Sequence, residues 1–496
     1  MSSSGGPNGE ITLRAFRPRQ RLRVPVTPIG RPSMPAIDAH NHLGSMTFAG
    51  RWATATAGEL EVALDASSIA AIVDLDGGWG RRLDQELSRW APLEGRVAVF
   101  AELDYAMWVE RADFGEEEAR RLRAGVAAGA RGLKVWKPLG LTARDPSGRL
   151  VPVDDPRLDP LWSAAGELGV PVTIHVADPI AFFDPLDAAN ERYEELLEHP
   201  DWHFWPTRPP GRTDLPGFPP FDEIIDGLEA VLVRHAGTTF IGAHVGCVPE
   251  DLARVERMLA RCPNWHVDLA ARIAELGRQP YSARELLVRF PDRVLFGTDA
   301  PPDPPSWAVY ARFLETRDES FAYEPPDETD DSSAPAPPGS QGRWRIHGLG
   351  LPEEVLRLVY AGNARRLLFR DLPGVAGGHV TLHLLPAVRW AAWRADAEPT
   401  ARYEPAGFAA ERFVHCTDGD AEMLAVASRF YAADRGQFVV LDLDLALVGA
   451  PWRYDDPASP YPHVYGPLRR DAVRGVRPVL RDGEGRFVGY GPRQPA

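Results

Sequence analysis

The sequence predicts a (β/α)8 barrel of the TIM type over residues 35–370, followed by a small α+β domain. Three observations support this. Eight short apolar runs alternate with longer amphipathic stretches over about 330 residues. Histidines and acids sit at the ends of several of those runs, where a barrel keeps its chemistry. Beyond residue 378 the alternation stops, and short strands flank a single helical run.

Taken in order, the first 34 residues are polar, arginine-rich and lack an apolar segment, so they read as a flexible leader. The predicted strands are "AIDAH" (36–40), "IAAIVDLD" (69–76), "VAVFAELD" (97–104), "GLKVW" (132–136), "VPVTIHV" (170–176), "TFIGAHV" (239–245), "WHVDLA" (265–270) and "VLFGTD" (294–299). Such near-continuous apolar runs suit parallel strands covered on both faces. Between them, stretches such as "FGEEEARRLRAGVAAGA" and "PEDLARVERMLARCP" carry apolar residues at helical spacing. The long segment after the fifth strand, "DPIAFFDPLDAANERYEELLEHPDWHFW", is rich in aromatics and should wall or cover a pocket. Residues 324–340, acidic, proline-rich and without large apolar side chains, are expected to be disordered. "RDLPGVAGG" marks a seam, after which "HVTLHLL", "AEMLAVASRFYAA" and "QFVVLDLD" outline the second unit, residues 379–493.

Composition narrows the function. A formal charge of −15 with no basic face argues against nucleic acid as a partner. No run approaches a membrane span. Three scattered cysteines make neither a disulfide framework nor a thiolate metal site, which suits a cytoplasmic protein. The sequence leaves open whether the chain forms a homo-oligomer.

The strand ends carry the chemistry. His40 and His42 are two residues apart, so in an extended strand they project to the same side. His175, His244 and Asp299 end three other strands. Imidazoles and a carboxylate converging on one mouth predict a divalent metal site; without thiolates the ion is zinc, manganese or iron, with Zn2+ the default. His235, His266 and His347 read as structural.

The phrases "IDAHNHLG", "VTIHVADP", "FIGAHVG", "VLFGTDAP" and "YAGNARRLL", in this order, resemble the amidohydrolase superfamily, in particular its amidohydrolase-related branch of metal-dependent hydrolases and decarboxylases. The resemblance implies one or two ions held by His40, His42, His175 and Asp299. It gives His244 a place in a second metal site or in catalysis, and makes Asp299 the group that takes a proton from activated water. Binuclear members carry a carboxylated lysine at the end of the fourth strand, and Lys134 occupies that kind of position. Of 55 basic residues only Lys134 and Lys137 are lysines. An amine can become a carbamate, which a guanidinium cannot.

Lys137 and Arg272 are expected to meet the substrate, since an arginine after the seventh strand could hold a planar anion in two-pronged fashion; an ion pair at the helix start, with Glu275 beside it, is the plainer reading of Arg272. In the second unit "HLLPAVRW", "YEPAGFAAERFVHCT" and "YPHVYGPL" resemble a small bacterial domain of unknown function, distantly similar to ADP-ribosyltransferase-like folds. That resemblance implies a cleft with His383, Arg412, His415, His463 and Tyr465, and nucleotide or ADP-ribose binding.

The expected activity is hydrolysis of an amide, ester or lactone bond in a small polar molecule. Non-oxidative decarboxylation in the same fold is the alternative. A Schiff-base aldolase would leave the histidine pair and Asp299 without a purpose. A non-enzymatic scaffold would show broken metal ligands, and all are present.

Overall fold

The computed structural model describes residues 21–44, 51–93, 95–205, 217–323, 344–369, 380–396, 402–445, 448, 450, 452–455 and 459–494. The expected acidic insertion (324–340), the seam (370–378) and most of the leader lie outside the described residues.

The barrel strands are β1 (Ala36–Asn41), β2 (Ile69–Asp74), β3 (Val97–Val99), β4 (Ala101–Glu102), β5 (Leu133–Val135), β6 (Val172–Ile174), β7 (Phe240–Gly242), β8 (Trp265–Asp268) and β9 (Val294–Leu295). All neighbouring pairs are parallel, in the orders β1-β2-β3 and β4 to β9. Nine labelled segments make eight staves, because β3 and β4 are one strand that changes partner at Phe100. The Phe100 amide still donates to Asp74 O, and the next amide, Ala101, donates to Gly132 O. The ring closes where Ala39 N donates to Phe296 O and Asp299 N donates to His40 O, each at 2.9 Å.

The burial follows from the architecture. β1, β2, β5, β6, β7, β8 and β9 are buried at every position, as strands covered by an outer layer of helices must be. Close packing shows at Gly242: a Cβ there would sit 2.0 Å from the Trp265 ring. The closing motif holds the floor. Asn363 donates from its amide to Val294 O (2.7 Å) and Pro291 O (2.8 Å), fastening the last helix, Asn363–Leu368, under β9. Thr27 and Ser33, in the expected leader, bond to Asp318 and Glu315 of the barrel.

The second unit is an antiparallel four-stranded sheet in the order β10 (Val380–Pro386), β13 (Phe438–Asp444), β17 (Val473–Arg481), β18 (Phe487–Tyr490). Helices Ala387–Ala395 and Asp420–Tyr431 accompany it. Two smaller sheets complete it, one pairing β11 (Arg402–Tyr403) with β16 (Leu468–Arg469), the other ordered β12 (Val414–His415), β15 (Pro462–Val464), β14 (Trp452–Tyr454). Arg365 of the barrel's last helix approaches the fully buried Asp444 of β13, which also pairs with Arg474 at 3.1 Å.

Candidate metal centre

β1 delivers His40 and His42 to the barrel mouth with their ring centroids 5.5 Å apart. Each ring is fixed from behind by a buried carboxylate: His40 Nδ1 lies 2.7 Å from Asp268 Oδ2 at the end of β8, and His42 Nδ1 lies 2.7 Å from Asp76 Oδ1 just past β2. A carboxylate on Nδ1 holds the proton there and leaves the Nε2 lone pair for a ligand. His42 Nε2 stands 3.4 Å from Asp299 Oδ1, and His244 Nε2 stands 3.8 Å from Asp299 Oδ2. His244 Nδ1 donates to Ala270 O at 2.8 Å, so its Nε2 is likewise an acceptor.

The residues fit a divalent ion. The ligand atoms of His40, His42 and Asp299 lie within 4.8 Å of one another. Asp299 Oδ1 is buried without a hydrogen-bond partner, the condition of a group that awaits a ligand, and His175 Nε2 has only Asp178 Oδ1 near it, at 3.4 Å. A second trio, His40, His244 and Asp268, is equally compact. Asp268 nevertheless positions rather than ligates, because Oδ2 holds His40 while Oδ1 accepts from the amides of His244 (2.8 Å) and Ala270 (3.1 Å). His175, at the end of β6, stands outside both trios, its ring centroid 4.3 Å from that of His244.

Electrostatics keep His40, His175 and His244 neutral. Burial first, and the Lys134 charge second, hold His40 well below its ordinary range; burial and then His175 do the same to His244. Burial pushes His175 down to about 3 despite Asp178 beside it. Neutral imidazole is the form that binds a metal. Burial raises Asp76, but its bond to His42 and the charge there outweigh this and leave it below the usual carboxylate range.

Lys134, from β5, is fully buried, with Nζ 3.4 Å from His40 Nε2 and 4.7 Å above the Trp136 ring. Burial lowers its pKa against the pull of Asp299, Asp268 and Asp76. Lys137 donates to Asp178 Oδ2 at 2.6 Å, and Arg272 approaches Asp178 Oδ1 at 3.7 Å while its Nε is buried without a partner. Asp178 is desolvated, yet Lys137, His175 and Arg272 keep it well below its usual range. Glu275 does not pair with Arg272; it bonds Arg192, which also holds Glu195. The segment after β6 does form a wall, since Lys137 Nζ lies 5.6 Å over the Phe204 ring.

The mouth is also where the backbone departs from ordinary conformations. His244 (φ 59°), Val245 (φ 60°), Ala271 (φ 53°) and Asp299 (φ 51°) are all left-handed without being glycine. Such strain gathers where side chains must be aimed.

The amidohydrolase family model matches residues 37–370. The chain belongs to the amidohydrolase family. Residues 385–476 match DUF952, a family of unknown function. No curated protein matches the chain. Among solved structures, the amidohydrolase barrel is similar to 2,6-dihydroxybenzoate decarboxylase from Rhizobium (18% identity, 68% of this chain and 99% of that one, TM-score 0.41). It is also similar to a zinc-bound amidohydrolase from Burkholderia multivorans (16%, 68% and 100%, 0.37). A third is a dihydroxybenzoic acid decarboxylase from Polaromonas sp. JS666 with bound manganese (16%, 69% and 99%, 0.42). Among the described residues, no helix of the chain is long and apolar enough to cross a membrane.

Outside the barrel, His415, His463 and Tyr465 gather at the small β12–β15 sheet. His383 lies beneath it, buried, with Nδ1 donating to His415 O at 2.8 Å. Arg412 is exposed and left-handed (φ 67°). The functional neighbours that sequence reasoning missed are Asp76, Asp268, Asp178 and Trp136. A signal existed for the first of them: in "VDLD", Asp74 and Asp76 repeat at a strand tip the two-residue spacing of His40 and His42.

Proposed function

We propose that the barrel mouth is the active site of a metal-dependent hydrolase acting on a small, anionic substrate with an amide, ester or lactone bond. The observation that carries this reading is Asp299, whose unpartnered Oδ1 faces His42 and whose Oδ2 faces His244. His40, His42, His175 and Asp299 would hold a first ion, with His244 and Lys134, the latter as its carbamate, available to a second. A bound divalent ion supplies Lewis acidity, bringing the pKa of water from near 16 to about 7. Asp299 takes the proton of the attacking water and returns it to the leaving nitrogen or oxygen. His244, held by Ala270 and Asp268, keeps its Nε2 as an acceptor beside that carboxylate. Lys137 and Arg272 hold the anionic end of the substrate in place of part of their hold on Asp178.

The same two cations favour one second reading, a non-oxidative decarboxylase, in which the group they hold is a carboxylate next to the bond that breaks. Product analysis on a panel of small acids separates the two: hydrolysis yields a new acid with an amine or alcohol, whereas decarboxylation releases CO2. For either reading, replacing both His40 and His42 with alanine should empty the site of metal and abolish turnover. Full metal occupancy in that variant would overturn both.

A further inference from the structure

We propose that the C-terminal domain carries a second ligand site, on the solvent face of its β12–β15 sheet, for a nucleoside monophosphate or a closely related nucleotide. Side chains alternate along a strand, and here the alternation is strict: Val414, Cys416 and Val464 enter the core, leaving Phe413 and His415 on one strand and His463 and Tyr465 on its partner to face outward. His415 and His463 are directly opposite in register. Folding alone asks nothing of such a face beyond solubility, which threonine, lysine or glutamate would supply. Four rings stand there instead. Phe413 stacks on His463 with centroids 4.1 Å apart, and lies 4.8 Å from His415 and 5.5 Å from Tyr465.

Each imidazole is backed by an acid. His463 Nδ1 lies 2.7 Å from Asp455 Oδ2, which also accepts from the Tyr465 hydroxyl at 2.6 Å, and His415 Nε2 lies 3.2 Å from Glu411 Oε2. The other nitrogen of each ring remains for a ligand. The face is accessible at its edge, where His415 is 60% exposed, Glu411 48% and Asp455 40%, while Phe413, His463 and Tyr465 are half-buried. Below it the Nε2 of the buried His383 has no hydrogen-bond partner.

The ligand follows from what the face offers. Rings recruit a planar base by stacking. Glu411 accepts hydrogen bonds from ribose hydroxyls, the role an acid plays in dinucleotide-binding folds, while Asp455 orients His463 and Tyr465. The exposed Arg412, next in the chain to Phe413, donates to phosphate, and the outer imidazole nitrogens accept from ribose hydroxyls. A metal suits it less, since among the described residues the trios with metal-binding spacing are those of the barrel mouth.

The test is calorimetric titration of the full chain, carrying its barrel metal, with AMP, adenosine, ribose 5-phosphate, inorganic phosphate and Zn2+. AMP should bind at one equivalent, with adenosine and ribose 5-phosphate each weaker by roughly 10-fold, since each lacks one of the anchors. Phe413→Ala and His415→Gln should each weaken AMP by about 10-fold while leaving the metal content unchanged. His415 is exposed enough that its replacement does not threaten the fold. The proposal is overturned if AMP gives no heat, or if its binding survives in His415→Gln/His463→Gln and disappears in His40→Ala/His42→Ala. It is equally overturned if Zn2+ is the only titrant whose binding the small-domain variants remove.

Discussion

Asp76→Asn tests whether the carboxylates behind the histidines set metal affinity. In the native protein His42 Nδ1 and Asp76 Oδ1 are 2.7 Å apart, with side chains 1% and 0% exposed, so no water competes for that bond. Asparagine keeps the shape and an acceptor oxygen but removes the charge that makes His42 a better donor to a cation. Loss of such an outer partner costs 10- to 100-fold in metal affinity, or about 1.4 to 2.8 kcal/mol. Competition for Zn2+ against a chromophoric chelator reads this directly, and thermal unfolding of the metal-free protein should be nearly unchanged. Asp76→Ala should go further, because it leaves the buried His42 N–H without an acceptor, at about 1 to 3 kcal/mol of stability. Native affinity in Asp76→Asn would mean that His42 is not a ligand or that Asp76 does not govern it, and the site would have to be rebuilt on other residues.

Three further outcomes are expected. Burial pushes both His266 and His383 down to about 4, whereas an unfolded histidine titrates near 6.5. Both are neutral in either state above pH 6.5, and below it only the unfolded chain takes up the proton. Stability should therefore fall between pH 6.5 and 4, by up to about 3 kcal/mol per histidine, and His383→Gln should flatten the calorimetric pH dependence of the second domain. Gly242→Ala drives a methyl into the Trp265 ring and should cost about 1 to 3 kcal/mol or more, seen as a lower Tm with loss of metal, because β7 aims His244. Lys134→Arg puts a permanent cation beside His40 and should cost most of the activity and, in a two-ion site, the second ion; unchanged metal content and turnover would end the carbamate reading.

The barrel was legible because parallel strands covered on both faces are written as apolar runs, and because a histidine or acid at their tips is costly without a task. His40, His42, His244 and Asp299 announced themselves in that way. Their supports did not. Asp268 is 228 residues from His40, and "WHVDLA" reads as one more strand until the fold brings its acid under the imidazole. Lys137 was harder, since regular alternation turns it away from Lys134; the chain leaves the strand after Val135 and brings it round to Asp178. The partner change at Phe100 has no sequence mark, because it depends on which neighbour each amide meets.

The shortage of lysine gives the barrel a built-in clock. A protease that cuts after lysine but not before proline finds two lysines in the chain, and Pro138 rules out the bond after Lys137. What remains is Lys134–Val135, inside β5, with both residues fully buried, Lys134 paired to β4 and β6 and Val135 to β6. Digestion at that bond requires the staves to part, so under limiting enzyme the rate at which the chain splits after residue 134 reports the fraction of barrels open. Added Zn2+ should slow the cut in proportion to how tightly it binds the closed form. An assay of that kind would rank candidate metals and substrates by protection alone, before any turnover is known.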